Sequence, residues 1–298
     1  MAQIPERLGC STISFQHLAL EDALTAIASL GFAEIDLGAL PGVCDHVPFD
    51  LDESAIASVA ATVRASGLRV RSVNGDIGDL NDPAADAEAR RSHLDRLLRL
   101  TAAVGAEALV LPCGALGHEP LRTEAEDLDL VGDWLREAGR AALEHGVALW
   151  VESLHFLRFG WSRARAEALH RRLAGTAVRP ILDVAHVTAA GDDLLDLIVG
   201  WGDRIAHVHL RDAVPGDFSR AIGEGAVDFG AAIAALEARG FAGAYALEPA
   251  LARLRRRRHR PHDRPSARSA PRRDPRRRGP HRPRARGSRS SLTPQEHP

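Results

Sequence analysis

Along this chain a glycine recurs at the end of an amphipathic stretch and is followed each time by a short apolar run. This alternation constrains the fold more than any other feature. Gly31 precedes Ala33–Leu37, Gly67 precedes Leu68–Val73, Gly105 precedes Ala106–Leu111 and Gly146 precedes Val147–Val151. The pattern continues with Gly175 before Val178–Leu182, Gly202 before Ile205–Leu210 and Gly240 before Gly243–Leu247. Glycine just past a helix end takes the left-handed conformation without steric cost, so each of these reads as a helix stop ahead of a strand. With the opening run Leu8–Ser11 there are eight strands, and glycine spacings of 36, 38, 41, 29, 27 and 38 residues leave room for helices between them. Helix-period stretches at Leu20–Leu30, Glu53–Ser66, Ala84–Val104, Leu128–His145 and Phe229–Arg239 occupy several intervals. Eight strand–helix units with right-handed crossovers in roughly 250 residues predict an α/β fold, the (β/α)8 TIM barrel. A doubly wound sheet would carry a phosphate loop after its first strand, and Cys10–Phe15 is not glycine-rich.

The alternation stops at Ala250. Residues 251–298 hold eight prolines and 17 arginines against three acidic residues, with no Val, Ile, Phe, Trp or Tyr. Such a segment cannot bury enough apolar surface to offset the entropy of ordering it. The expectation is a catalytic barrel over 1–250 and a disordered Arg/Pro-rich tail over 251–298, with the barrel's last helix missing or replaced by that tail. The tail's formal charge of +14 leaves −16 on the body. A shifted reading frame in a GC-rich coding sequence yields such a composition, and nucleic-acid contact is expected only nonspecifically, through this tail.

Composition removes several classes of chemistry. All 38 basic residues are arginine, so no Schiff-base lysine, P-loop lysine or kinase lysine can be built. Three cysteines at unrelated spacings do not form a disulfide framework and fit a reducing cytoplasm. No apolar run approaches the roughly 18 residues needed to span a bilayer, and the N-terminus lacks the apolar region of a signal peptide. A soluble cytoplasmic protein is expected, monomeric or homo-oligomeric. No G-x-S-x-G occurs and Cys113 has no evident partner base, so nucleophilic acyl transfer is a poor fit.

Barrel enzymes place reacting groups at the carboxyl ends of their strands. Four of the later strands end on ionisable residues: Glu152 after Val147–Val151, Asp183 after Pro180–Leu182, His209 in the run Ala206–His209, and Glu248 after Ala244–Leu247. One such end is commonly only solvated. Three carboxylates and one imidazole at a single mouth would repel one another unless a divalent cation neutralised them, and the oxygen-rich set suits Mn²⁺, Mg²⁺ or Co²⁺ better than a closed thiolate zinc site does. Asp183 and His186 form D-x-x-H, which brings the imidazole within reach of a bound substrate. His207 shares a strand face with His209 and is expected one layer deeper, and Arg211 continues that face as a candidate substrate ligand. His155, Phe156, Arg158 and Trp161 follow Glu152 on its loop, with His155 and Trp161 placed to close over a sugar ring. Gly223 and Gly225 lack the third glycine of a dinucleotide fingerprint and read as a turning loop beside the mouth.

The stretches Cys10–Phe15, Ala28–Leu37, Val151–His155, Leu182–His186, His207–Asp212, Gly223–Phe229 and Ala246–Glu248 together resemble the sugar phosphate isomerase/epimerase group of xylose isomerase-like barrels, over residues 7–250. The resemblance implies that Glu152, Asp183, His209 and Glu248 bind one divalent metal, with manganese foremost and Mg²⁺, Co²⁺ or Zn²⁺ as alternatives. It also implies that His186 and Arg211 lie close to substrate, and that Glu152 and Glu248 act as acid and base on opposite faces of a sugar or sugar phosphate through an enediolate. A one-metal dehydratase of the inosose dehydratase type is similar in its residues. The related AP endonucleases use extra histidines after strands three and four, where this chain has Asn74 and Pro112–Cys113, so DNA repair is disfavoured.

Overall fold

The computed structural model describes residues 4–249. Eight parallel strands close into a barrel in the order β1 (Leu8–Ser11), β10 (Tyr245–Leu247), β7 (His207–Leu210), β6 (Arg179–Asp183), β5 (Ala148–Glu152), β4 (Ala108–Pro112), β3 (Arg69–Gly75) and β2 (Glu34–Ala39). Around it run α1 (Leu20–Ser29), α2 (Glu53–Ser66), α3 (Ala87–Ala103), α4 (Glu124–Glu144), α5 (Arg163–Arg172), α6 (Val184–Ala190), α7 (Leu194–Trp201) and α8 (Phe229–Ala238). The fold is the (β/α)8 barrel expected from the glycine alternation. An antiparallel hairpin, β8 (Asp212–Val214) with β9 (Asp217–Arg220), is inserted after β7. The expectations for 251–298, and for the helix that would follow β10, lie outside the described residues. Among the described residues no helix is long and apolar enough to cross a membrane, and Cys10, Cys44 and Cys113 are all free and buried.

Local chemistry sets the helix limits. Asp52, Asp86, Ser162, Asp193 and Asp228 each cap a helix N-terminus through a side-chain oxygen. Thr123 and Glu126 form a reciprocal capping box, which starts α4 at Glu124, ahead of the Leu128 suggested by apolar period alone. Gly67 ends α2 at φ +73°, a left-handed stop.

Strand alternation divides the interior from the helix-facing shell. Leu149, Val151, Ile35, Leu37 and Val73 point outward into the main core, and Leu182, Val208 and Leu210 pack with Ile198 and Trp201 under α7. The inward set begins with an apolar plug of Ala108, Val110, Trp150, Ile181 and Ala206. Above it, buried Asp36, Ser72 and His207 form a polar layer. Arg7 ties the ends of the barrel together: Nε donates to Gly243 O at 2.8 Å, Nη2 to Phe241 O at 2.7 Å, and Nη1 to Glu237 at 3.0 Å, with the guanidinium 5.4 Å from the Tyr245 ring centre.

Behind β5, the Ser153 hydroxyl lies 2.6 Å from His170 Nε2 on α5. Burial, with the nearby charge of Arg204, pushes the His170 imidazole down to about 3. The unfolded chain takes up this proton as pH falls through about 6.5, and the folded chain does not until about 3. The stability that neutral His170 contributes is therefore complete above pH 6.5 and is lost progressively below it, by up to about 1.4 kcal/mol per pH unit. His170→Asn should flatten the fall in urea midpoint between pH 7 and 4.5; an unchanged slope would show that His170 titrates normally in the folded protein.

Candidate metal centre

Register brings the four strand-end residues to one level. Asp183 pairs with His209 across β6 and β7, His209 pairs with Ala246 of β10, and Glu248 follows that strand with its N–H on Leu210 O at 3.1 Å. Glu152 pairs with Pro112 at the top of β5. Glu152, Asp183 and His209 offer ligand atoms within 4.8 Å of one another. His209 Nδ1 stands 3.7 Å from Glu152 Oε1 and 3.6 Å from Glu248 Oε2.

Three atoms facing this point are buried without a hydrogen-bond partner: Asp183 Oδ2, His209 Nδ1 and Glu248 Oε2. Buried polar atoms are seldom left so, and a cation shared among them would satisfy all three. Asp183 divides its carboxylate: Oδ1 caps α6, accepting the N–H groups of Ala185 at 2.7 Å and His186 at 3.2 Å, so the unpartnered Oδ2 is held in place. Burial raises the Glu152 carboxyl; His209 pulls it back, and the charges of Asp183 and Glu248 push it up again. Burial opposes charge on His209, but Glu248, Asp36 and Glu152 together hold its imidazole well above the ordinary value. The donor set and the unpartnered atoms fit one divalent cation.

A second trio, Glu152 with His155 and His186, also lies within ligand spacing. Its protons argue against ligation. His186 Nδ1 accepts the Phe156 N–H at 3.2 Å and His155 Nδ1 accepts the Leu157 N–H at 3.3 Å. Burial, together with neighbouring cationic groups, holds both imidazoles well below their ordinary value, hence neutral. Each therefore carries its single proton on Nε2, with no lone pair there for a metal. His186 Nε2 points toward Glu152 and Asp183 at 3.7 and 3.8 Å, and His155 Nε2 toward Glu152 at 3.6 Å. These two rings are hydrogen-bond donors to whatever enters.

Arg211 Nη1 donates to Glu248 Oε1 at 3.0 Å, and its guanidinium lies 4.5 Å from the ring centre of Phe218 on β9. Asp212 organises the adjoining loop by accepting the N–H groups of Gly223 at 2.8 Å and Gly225 at 2.9 Å on one oxygen, and those of Ala213 and Val227 on the other. A Cβ at Gly225 would overlap the Asp212 carboxylate, which explains that glycine. Gly160 is needed for a similar reason, because a Cβ there would overlap Cys113 Sγ where the Glu152 loop folds back. The Cys113 thiol donates to Ser153 O at 3.0 Å, and burial, with the charge of Glu152, pushes it up to about 12, so it is no nucleophile.

Of the residues singled out in sequence, Glu152, His155, His186, His209, Arg211 and Glu248 share one cavity of about 280 Å³, and Asp183 lies buried beside it. Trp161 departs from expectation. It stacks on His118 with ring centres 4.4 Å apart and does not line that cavity, because the loop turns it toward the β4–α4 connection. Sequence reasoning missed Asp36. Its Oδ2 accepts the His207 Nε2 proton at 2.7 Å and lies 3.3 Å from His209 Nε2, and its Oδ1 accepts the Ser72 hydroxyl at 2.9 Å. Burial would raise this carboxyl, yet the two histidines hold it well below the usual range. A charged residue in the middle of the buried run Glu34–Ala39 was the available signal.

Residues 24–269 match the family described as Xylose isomerase-like TIM barrel, and the chain belongs to that family. No curated protein registers as a match. Among solved structures, the chain is similar to a 3-keto-D-glucoside 4-epimerase from E. coli, with 22% identity, TM-score 0.65, and 82% of this chain and 92% of that one covered. It is similar also to a probable 3-DHS dehydratase from Bacillus anthracis, with 16% identity, TM-score 0.65, and coverage of 81% and 92%. A third, the IOLI protein with a bound zinc atom, has 18% identity, TM-score 0.67, and coverage of 83% and 90%. At these identities the likeness is one of fold, and the reactions named differ.

The Asp36 carboxylate, 3.3 Å from Nε2, orients the His209 ring so that Nδ1 faces Glu152 and Glu248. Asp36→Asn should weaken binding of Mn²⁺ by roughly 10–100-fold in a calorimetric titration; affinity within twofold of wild type would show that Asp36 serves only packing.

Proposed function

We propose that the chain is a divalent-metal-dependent isomerase or epimerase of a small sugar-like carbonyl compound. Glu152, Asp183, His209 and Glu248 hold the ion, and Glu152 and Glu248 move the substrate proton. The observation that carries this reading is the set of unpartnered buried atoms, Asp183 Oδ2, His209 Nδ1 and Glu248 Oε2, gathered beside Glu152. Mn²⁺ is the expected ion, since three carboxylates and one imidazole form a hard, oxygen-rich set. The setting expected for it is cytoplasmic.

A divalent cation bound there supplies Lewis-acid chemistry, drawing charge from a carbonyl oxygen and a neighbouring hydroxyl and so acidifying the C–H between them. The chain's own residues do the rest. Glu152 and Glu248 flank His209 Nδ1 and both line the cavity, where they are the groups to take and return a proton. Arg211 holds Glu248 Oε1, which fixes the carboxylate. His155 and His186 present Nε2–H donors that orient substrate hydroxyls without competing for the proton. Removal of the C–H proton by one glutamate and delivery of a proton to the opposite face by the other inverts that carbon; delivery to the adjacent carbon, with the hydroxyl proton passing between the two oxygens, exchanges aldose for ketose. The E. coli structure named as a 3-keto-D-glucoside 4-epimerase supports the first outcome.

Chelation should abolish turnover and Mn²⁺ should restore it. Glu152→Gln and Glu248→Gln, with metal occupancy measured in each, should slow exchange of the substrate C–H with solvent deuterium by about 10²–10⁴-fold, because an amide cannot accept the proton. Mass spectrometry should show products of unchanged mass apart from deuterium. Full activity after metal removal would refute the reading, and a product lighter by one water would move it to a dehydratase.

A further inference from the structure

The cavity over the candidate metal centre differs between floor and lip. Its floor is ionic. Five carboxylates, Asp36, Asp76, Glu152, Asp183 and Glu248, line it or lie directly beneath it, against two guanidinium groups, Arg158 and Arg211. Both arginines are already engaged. Arg211 Nη1 is on Glu248 Oε1 at 3.0 Å, and Arg158 is bonded to Asp76, with Asp79 3.9 Å away and Gly114 O accepting from Nη1 at 3.1 Å. Even with a divalent cation added, two arginines against five carboxylates leave no surplus positive charge. A phosphoryl dianion needs charge-assisted donors of its own, and both guanidinium groups lining this cavity already face a carboxylate, with the Nε of each buried and left without a hydrogen-bond partner.

The lip is apolar and exposed. Val43 is 56% exposed, Leu116 69% and Leu157 42%, and all three line the same cavity as Glu152 and His209. They stand on fixed backbone. The Gly117 N–H donates to Leu157 O at 2.8 Å, and Leu116 bridges to Arg158, so the loops after β4 and β5 are stitched together. Across the mouth, Val43 N–H and Cys44 N–H both donate to Leu40 O, at 2.8 and 2.7 Å, closing a tight turn that presents Val43. A bare polyol would meet nothing to bond at these three side chains, whereas an apolar group would remove them from water at roughly 25 cal/mol per Å².

Resting on the sugar isomerase or epimerase reading, we propose that the substrate is an uncharged keto sugar carrying an apolar substituent, an alkyl or aryl glycoside whose ring keeps a free carbonyl. Its sugar ring lies on the ionic floor and its substituent against Val43, Leu116 and Leu157. The occupant follows from continuity, since the apolar lip and the ionic floor line one cavity.

The test compares binding of phenyl β-D-glucoside, methyl β-D-glucoside and glucose 6-phosphate to the Mn²⁺-loaded full chain by saturation-transfer NMR or calorimetry. The phenyl glucoside should bind at least tenfold tighter than the methyl glucoside, and the phosphate ester no tighter than the methyl glucoside. Leu116→Asp and Leu157→Asp should bring the phenyl-to-methyl ratio close to one. Equal binding of the two glucosides, no binding of either, or preference for the phosphate ester overturns the proposal. So does sedimentation showing that Leu116→Asp dissociates a dimer while leaving the ratio unchanged, because the lip would then face a second copy of the chain. The ratio is read without turnover. A protein that prefers the phenyl glucoside but exchanges no C–H of a free ketose with deuterium therefore refutes the reaction alone, and one that exchanges that C–H with no aryl preference refutes the substituent alone.

Discussion

Repulsion among Glu152, Asp183 and Glu248 is the constraint on which the upper half of the barrel depends. The parallel register sets Asp183 opposite His209, with Glu248 just above the residue that pairs with His209 on the other side. Packed so closely and largely out of water, three carboxylates can all stay charged only if something positive is shared among them. Arg211 meets one oxygen of Glu248, and the N–H groups at the start of α6 meet one oxygen of Asp183. The remaining oxygens, with His209 Nδ1, are left facing each other, and that is where the proposed cation would sit.

The layer below serves the same end. Asp36 sits between His207 and His209 and is anchored by Ser72, so the imidazole of His209 is oriented from beneath. Trp150 stacks on His207 at 5.6 Å and closes the interior with the apolar plug. Around the mouth, neutral His155 and His186 take backbone N–H groups on Nδ1 and so face the cavity as donors. Fixing those tautomers separates the residues proposed to hold an ion from those proposed to hold a substrate, although both kinds crowd the same Glu152.

Much of this was legible in the sequence. The glycine stops and the apolar runs after them marked the eight strands and their ends, because only glycine takes the left-handed turn cheaply. Glu152, Asp183, His209 and Glu248 could be read as a set since each terminates an apolar run. Other parts were not legible. Helix α5 carries five charged residues in ten and buries only Ala166 and Leu169, too little for an apolar period to register. The β8–β9 hairpin is three and four residues long, shorter than alternation can resolve. Trp161 lay close to Glu152 in sequence, but its direction is set by stacking on His118, a long-range contact. Asp36 was hidden by its place in the interior of a strand, where the partners that keep it charged come from β3 and β7.

The central claim is that Glu152, Asp183, His209 and Glu248 hold a single ion. Anomalous diffraction from crystals of the full chain grown with Mn²⁺ tests it most directly. The account predicts one strong anomalous peak at roughly 2.0–2.6 Å from ligand atoms of all four residues, with His155 and His186 hydrogen-bonded nearby and outside the coordination sphere. A peak ligated by His155 and His186, two peaks dividing the four residues, or a site that stays empty at saturating Mn²⁺ would contradict it.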